Sequence, residues 1–438
     1  MQGGLLYRLL SGLIVLLRRL GVPAALRGMT PRECASYAFG IAYMFQARLW
    51  TLLRGEPGWP ALQAAWARAE RDPGVRDTLA GTLASTDSLH LIASGEAGFA
   101  AREALYARAS RSLDIATYYV QSDQTGRATM AALAACAARG VRVRLLVDRY
   151  MMARKRVEVE GMDALLDEAH AAGIEVRTWH DPARPWDSNH RKMIVADAEA
   201  ALVGGRNFAD HYRGDQWRDV DLVLEGPSAA PLARLFEAVW SGAGTPALQA
   251  HPAPPWIDCV PAAVVDDPVM RYVLSAVGAA TRSVDLELAY FVAHDSLCGA
   301  LERAARRGVR VRLLTNSAQS NDLPFATWTT YEGARRLLEA GAEVHARRGA
   351  GRTLHCKYAV IDGEWVSFGS HNLDYYSPRY CCEANLLARD ARLAGLLSEF
   401  FAGGLAQATP LDLESEVRPY LAAAVSQRRF DRAFRDFQ

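Results

Sequence analysis

Two histidines in this chain stand in the same chemical setting. His190, Lys192, Asp197, Gly204, Gly205 and Asn207 follow the order His-x-Lys-x4-Asp-x6-Gly-Gly-x-Asn. His355, Lys357, Asp362, Gly369, Ser370 and Asn372 repeat it with identical spacing, serine replacing the second glycine. Five such identities at fixed spacing arise by chance on the order of once in a million start positions, and here the pattern occurs twice. The residue types suit phosphoryl transfer. One imidazole can attack phosphorus while the other protonates the leaving oxygen. A lysine supplies a cation for the phosphoryl charge. An asparagine amide can donate to a phosphate oxygen, and a glycine pair lets backbone approach a ligand closely. Each ring also needs its second nitrogen held by an acceptor. Glu383 lies 11 residues beyond Asn372, and Asp219 or Asp221 lies 12 or 14 beyond Asn207, so these acids are the candidates. Neither a metal nor another cofactor is expected, because no acidic or Cys/His cluster has metal-ligand spacing.

The elements that must position these groups come from a duplication. Arg139 to Leu146 recurs identically as Arg307 to Leu314, and Ser110 to Ile115 resembles Thr281 to Leu286. Ala171 to Arg177 resembles Glu339 to His345. With the two histidines, the offsets are 171, 168, 168 and 165 residues. A period this long means two copies of one domain rather than a solenoid. Each copy predicts a strand (Leu113 to Val120; Val284 to Val292) and then an alanine-rich helix ending at Gly140 or Gly308. A β-branched strand follows (Val141 to Val147; Val309 to Thr315), then another helix and strand. Such alternation predicts βαβ units and mostly parallel, mixed sheets covered on both faces. After His-x-Lys, the apolar runs Met193 to Val195 and Tyr358 to Ile361 read as strands, with each His and Lys on one face. Asp197 and Asp362 fall in the turns that end them. The expected organisation is an apolar helical segment at 1–58, a helical connector at 59–88, a first half at 89–245, a linker at 246–262, a second half at 263–410 and a helical tail at 411–438.

Of the 438 residues, 50% are hydrophobic and 23% charged, which allows a large core. The net charge of +1 disfavours nucleic acid as the main partner. Seven cysteines without a CxxC pair read as thiols in a reducing compartment. Leu5 to Leu20 and Tyr37 to Leu53 are apolar stretches with embedded arginines. They read as helices lying at a membrane interface, the alternative being a hairpin packed on the protein's own body. The run Arg149, Arg154, Lys155, Arg156 reads either as a lipid-headgroup contact or as a solvated loop. The amphipathic tail carries Arg428, Arg429, Arg432 and Arg435.

With these residues in place, the chain resembles the phospholipase D superfamily, marked by a doubled HxKx4D motif. It is most similar to the C-type members of the bacterial cardiolipin synthase branch. Further matches are Gly204-Gly-Arg-Asn207, Arg218-Asp-Val-Asp-Leu222, Phe236-x3-Trp240, Tyr290-Phe291, Leu314-Thr-Asn-Ser317 with Asp322, and Gly369-Ser-x-Asn-Leu-Asp374. The likeness spans about residues 89–400 and departs from the family pattern at Cys356 and Cys381-Cys382. It implies an α/β fold of two pseudo-symmetric α/β/α sandwich halves facing one cleft. It implies transfer of a phosphatidyl group from phosphatidylglycerol or phosphatidylethanolamine to an alcohol such as phosphatidylglycerol. His190 is implied as nucleophile and His355 as general acid. Lys192, Lys357, Asn207 and Asn372 are implied as phosphate binders, Glu383 and Asp219 as orienting acids, and Tyr119, Tyr290 and Asn316 as substrate contacts. The implied partners are phospholipids and a membrane surface, at a bacterial inner membrane facing the cytoplasm. No oligomeric state follows, since one chain supplies both motifs. A phospholipase D hydrolase, a nuclease on the same fold and a non-catalytic membrane scaffold are the competing readings.

Overall fold

The computed structural model describes residues 59–242, 255–259 and 267–424, apart from 183, 186, 293, 324 and 325, together with 31, 32, 34, 35, 38, 39 and 42. The first half opens with β1 (Ser88–Ile92), β2 (Ser112–Thr117), β3 (Arg142–Asp148) and β4 (Glu175–Trp179). It continues with β5 (Ser188–Asn189), β6 (Met193–Ala196), β7 (Ala200–Gly204) and β8 (Asp221–Glu225). Seven of these strands form a sheet ordered β1-β8-β7-β6-β2-β3-β4. The second half carries β9 (Trp256–Cys259), β10 (Ser283–Leu288), β11 (Arg310–Asn316), β12 (Glu343–Arg347), β13 (Lys357–Ile361), β14 (Trp365–Gly369), β15 (Cys381–Arg389) and β16 (Thr409–Pro410). Its sheet runs β16-β12-β11-β10-β13-β14-β15-β5, with β9 on β15.

The sheets are mixed, but parallel pairing is the minority, contrary to the expectation of mostly parallel strands. Only β2-β3-β4 and β10-β11-β12 run parallel within the halves, joined by the crossover helices Gln124–Ala138, Met162–Ala171, Asp295–Arg306 and Thr327–Glu339. The motif strands are antiparallel, β6 to β7 and β13 to β14. The reason is the turn: three residues at 197–199, or 362–364, can join only antiparallel neighbours.

One hydrophobic cluster belongs to both halves. Met193, Val195, Val203 and Leu222 of the first sheet meet Tyr358, Val360, Phe368 and Leu386 of the second. The amphipathic helices Ala229–Ser241 and Ala391–Leu405 complete it with Leu232, Phe236, Leu397 and Phe401. Burial of this shared apolar surface holds the halves in a fixed relation. Backbone pairing adds to it, since β5 of the first half lies parallel to β15 of the second, and Arg218 bridges Leu354.

Three segments lie elsewhere than the linear organisation implies. The helices Trp59–Glu70 and Pro73–Leu79, expected as a connector to the first half, pack on the second. Trp66 is fully buried in the core around Val273 and Val277, and the Ser275 hydroxyl donates to the Asp72 carbonyl at 2.6 Å. Residues 256–259, expected as linker, form β9, because Trp256 buries its ring and its indole donates to the Ser228 carbonyl at 2.8 Å. The basic run expected as a possible loop is a helix, Arg149–Glu158, in which Lys155 is buried against Glu158 at 3.0 Å. Most of both apolar N-terminal stretches, and Arg428, Arg429, Arg432 and Arg435, lie outside the described residues. Where the N-terminal segment is described it packs on the body. Phe39 stacks on Tyr150 with centroids 5.8 Å apart, and Arg32 pairs with Glu160. Among the described residues no helix is long and apolar enough to cross a membrane.

Candidate active site

Each motif histidine sits just before a sheet strand, in extended chain pinned to the opposite half. The His190 amide donates to the Cys382 carbonyl at 2.9 Å, and the His355 amide donates to the Arg218 carbonyl at 2.7 Å. Those carbonyls belong to the residues preceding Glu383 and Asp219. The pairing therefore carries each carboxylate to the other half's ring. Nδ1 of His190 lies 2.9 and 3.1 Å from the two Glu383 oxygens, and Nδ1 of His355 lies 2.8 Å from Asp219 Oδ2. Asp221, the other candidate, is instead paired with Arg206 at 2.9 Å and with Arg102 at 3.4 Å. With Nδ1–H donated to a carboxylate, Nε2 of each ring is the nitrogen left for chemistry.

Lys192 and Lys357 sit beside the rings, and among the described residues each donates only to its own histidine's carbonyl, at 2.8 and 2.7 Å. Burial is the main cause of the shifts here. It pushes His190 down to about 4, Glu383 opposing, and holds His355 well below its usual range, with Lys357 and Lys192 adding to the effect. Both rings are therefore neutral near pH 7. Burial lowers Lys192 to about 7, and lowers Lys357 as well. Burial alone would raise Glu383, but His190, His371 and Lys192 outweigh it and bring the carboxyl to about 2. Asp219 is raised by burial despite Arg206 and Lys357. The cleft thus holds two lysine amines to which no carboxylate is bonded among the described residues, a setting that favours an anion.

The remaining expected residues divide between cleft and scaffold. Asn207 lies beside the rings, but its amide nitrogen donates to the Tyr212 hydroxyl at 2.7 Å and its oxygen accepts from the Tyr118 amide at 3.3 Å. Asn372 has a buried oxygen with no hydrogen-bond partner among the described residues. Tyr290 turns its edge to His355, centroids 6.5 Å apart, and donates to Asp322 at 3.0 Å. Tyr119 faces His211 at 3.2 Å and lies under Lys155. Asn316, expected to contact substrate, is committed to scaffold instead. Its amide donates to the Ala289 and Leu354 carbonyls at 2.8 and 2.7 Å, and its oxygen accepts from Leu354 N at 2.8 Å. That geometry fixes the residue before His355. Asp148 is its counterpart, accepting from Asn189 N at 2.7 Å, the residue before His190.

Gly204 and Gly205 do allow a close approach, though to carboxylates rather than to a ligand. A Cβ at Gly205 would sit 2.4 Å from both Asp219 oxygens, and one at Gly204 would sit 2.0 Å from Asp221 Oδ1. In the second half Gly369 ends β14, and the Ser370 hydroxyl accepts from Ala384 N at 3.0 Å, next to Glu383. Asp197 and Asp362 stay in their turns, both at positive φ. Asp197 accepts the amides of Ser110, Arg111 and Ser112, and Asp362 those of Thr281, Arg282 and Ser283. They tie the start of β2 or β10 to the motif strand and do not reach the cleft.

Several cleft residues went unremarked in the sequence. Tyr118, not its neighbour Tyr119, packs edge-on against His190 at 4.8 Å and lies 5.3 Å from Lys192 Nζ. Tyr212 and Trp217 flank His355 at 5.7 and 5.4 Å. Their only advance signal is position, in the stretch between Asn207 and Asp219. The departures Cys356, Cys381 and Cys382 are buried cysteines, and burial raises Cys356 and Cys381.

This arrangement has known relatives. The family model described as cardiolipin synthase, PLD-like domain, matches residues 104–240 and again 273–403. Cardiolipin synthase A of Pseudomonas fluorescens is 29% identical over 337 residues, covering 71% of this chain and 67% of that protein. Cardiolipin synthase B of Salmonella typhi is 28% identical over 333 residues, covering 69% of this chain and 77% of that protein. The phosphatidylserine synthase structure of Haemophilus influenzae superposes with a TM-score of 0.67 at 13% identity, covering 84% of this chain and 99% of that one. That likeness establishes the fold.

Proposed function

The chain belongs to the cardiolipin synthase, PLD-like domain family of phospholipase D-type phosphatidyltransferases, and on that premise we propose a specific reaction. It moves a phosphatidyl group from phosphatidylglycerol or phosphatidylethanolamine to the hydroxyl of phosphatidylglycerol or a related alcohol, through a phosphohistidine. The observation that carries this reading is the crosswise pairing, in which each ring's Nδ1 is bonded to a carboxylate of the opposite half.

In the first step Nε2 of His190 attacks phosphorus, and the bond from phosphorus to the headgroup oxygen breaks. His355, which takes up a proton on Nε2 once the phosphate anion is bound, gives that proton to the oxygen, and the headgroup leaves as an alcohol. In the second step the acceptor hydroxyl attacks phosphorus, His355 takes its proton, and the phosphorus–nitrogen bond to His190 breaks. Burial keeps the His190 ring neutral near pH 7, as a nucleophile requires, and the choice of His190 over His355 follows the resemblance. The ionised Glu383 on its Nδ1 stabilises the cation formed as the bond to phosphorus grows. Lys192 and Lys357 meet the phosphoryl oxygens, and the arriving anion raises the proton affinity of His355 for its acid role. The partners of this reaction are phospholipids at a membrane surface. The apolar sequence before residue 54 supports that placement, and the +1 charge disfavours nucleic acid.

The test is lipid mass spectrometry of bacterial cells lacking their own cardiolipin synthases and expressing either this protein or its His190→Ala variant. Cardiolipin that accumulates with the first and is absent with the second is expected. Phosphatidic acid alone would assign hydrolysis instead, and an unchanged lipid profile would overturn the proposal.

A further inference from the structure

The two histidine–carboxylate pairs are alike, but what lies beneath them is not. Below His355, Arg218 donates to Glu287 at 2.6 and 3.3 Å and to the Phe400 carbonyl at 3.0 Å. The Tyr358 hydroxyl donates to the same Glu287 at 2.6 Å. Glu287 and Tyr358 are essentially inaccessible to solvent. The guanidinium lies 4.0 Å over the Phe400 ring. Arg218 is also the residue whose carbonyl holds the His355 amide, and its own amide donates to Thr353 at 2.7 Å. The network therefore grips the segment bearing Asp219, the segment leading into His355 and the strand β10 together.

The duplication supplies the comparison. Cys382 holds the corresponding place before Glu383, Met193 follows the first motif lysine as Tyr358 follows the second, and Ala116 answers Glu287 at the 171-residue offset of β2 and β10. The bed under His190 is thus a thiol, a thioether and a methyl group. A buried ionic cluster is retained for geometry more readily than for stability, since an apolar set of similar size would be at least as stable.

We propose that Arg218, Glu287 and Tyr358 form a positioning network for the His355–Asp219 pair alone. The inference rests on the proton-transfer role given to His355 above. That ring must serve the leaving oxygen and then the acceptor oxygen without shifting, whereas His190 follows the phosphorus to which it becomes bonded.

The test exploits leaving-group chemistry. From a phosphatidyl ester of p-nitrophenol the nitrophenolate leaves without being protonated, whereas an alkyl headgroup oxygen needs a proton to leave. In Glu287→Gln, headgroup release from phosphatidylglycerol is expected to slow about 10–100-fold. The first-turnover burst of p-nitrophenol should stay within about twofold of the parent, with KM for both lipids likewise retained. Because Glu287→Gln leaves a buried guanidinium without its anion, Tyr358→Phe provides a milder variant. It keeps the ion pair, and it should show the same selective loss at roughly 3–10-fold, consistent with one lost hydrogen bond. Equal slowing of both substrates, or of neither, in the folded variants would overturn the inference while leaving the transferase reading intact. A parent protein that releases neither headgroup nor p-nitrophenol would overturn the transferase reading itself, and the network's role with it.

Discussion

Glu383→Gln isolates the charge of one carboxylate with almost no change in shape. Glu383 is fully buried, and both its oxygens lie within hydrogen-bond reach of His190 Nδ1. Its carboxyl is held at about 2, so it is ionised at every pH where the protein is assayed. As His190 bonds to phosphorus its ring becomes cationic and its hydrogen bond to the carboxylate becomes an ion pair, whereas a glutamine offers only a neutral acceptor. Hydrogen bonds to charged groups contribute about 1.5–3 kcal/mol against 0.5–1.5 kcal/mol for neutral ones. Losing the charge alone therefore raises the barrier by about 1–1.5 kcal/mol, or about 5–13-fold in kcat. A glutamine can also present its NH2 to Nδ1, which forces the proton onto Nε2 and blocks the attacking nitrogen. Trapping the wrong tautomer in this way costs up to about 10⁴-fold where a comparable His–Asp pair has been altered. The expected range is thus about 5- to 10⁴-fold in kcat. Affinity for a non-reacting anion, measured near pH 6 where Lys192 keeps its proton, should be equal or tighter, because removing a negative charge leaves Lys192 and Lys357 less compensated. The assay is rapid-quench headgroup release in vesicles, with anion affinity followed by thermal shift. A variant with parental kcat, or one whose loss lies wholly in KM, would refute the argument.

Two further outcomes follow from the same geometry. Lys192 is lowered to about 7 by burial, so it carries its charge below that pH and loses it above. Sulfate has constant charge over this range, so the thermal stabilisation it confers should be fully present near pH 6 and fall away as pH rises through about 7; a pH-independent shift would contradict the placement of the lysines in an anion site. Gly205→Ala puts a methyl group 2.4 Å from both Asp219 oxygens. It should displace the carboxylate from His355 and lower kcat by about 10²-fold, the scale expected for losing an orienting contact, while circular dichroism stays unchanged. Parental turnover in a folded Gly205→Ala would mean Asp219 does not orient the ring.

The duplication, the order of strands and helices, and the two motifs were legible in the sequence because each is written in neighbouring residues. The period-two alternation around Met193 to Val195 and Tyr358 to Ile361 marks β6 and β13. Gly140 and Gly308, both at positive φ, stop the helices they follow. Asp197 and Asp362 were legible as turn residues by their place at the strand ends, and they remain in turns. Such signals survive because strand and helix formation depend on local spacing.

What only the tertiary structure decided depends on contacts between distant parts of the chain. His190 and Glu383 are separated by 193 positions, and His355 and Asp219 by 136. The same chain offered Asp221 as a second candidate beside Asp219, but β8 turns it toward Arg206. Asn316 resembled a binding residue but serves backbone, as Asp148 does in the other half. Tyr118 rather than Tyr119 faces His190, because one step along the chain past β2 changes which way a side chain points. The helices Trp59–Glu70 and Pro73–Leu79 joined the second half rather than the first, since Trp66 found its burial there. A sequence read by its repeats presents the two halves as equivalent, and the network of Arg218, Glu287 and Tyr358 that distinguishes them draws on residues 69 and 71 positions apart. No local rule links residues at such separations; they meet because burial of the shared core brings the halves together.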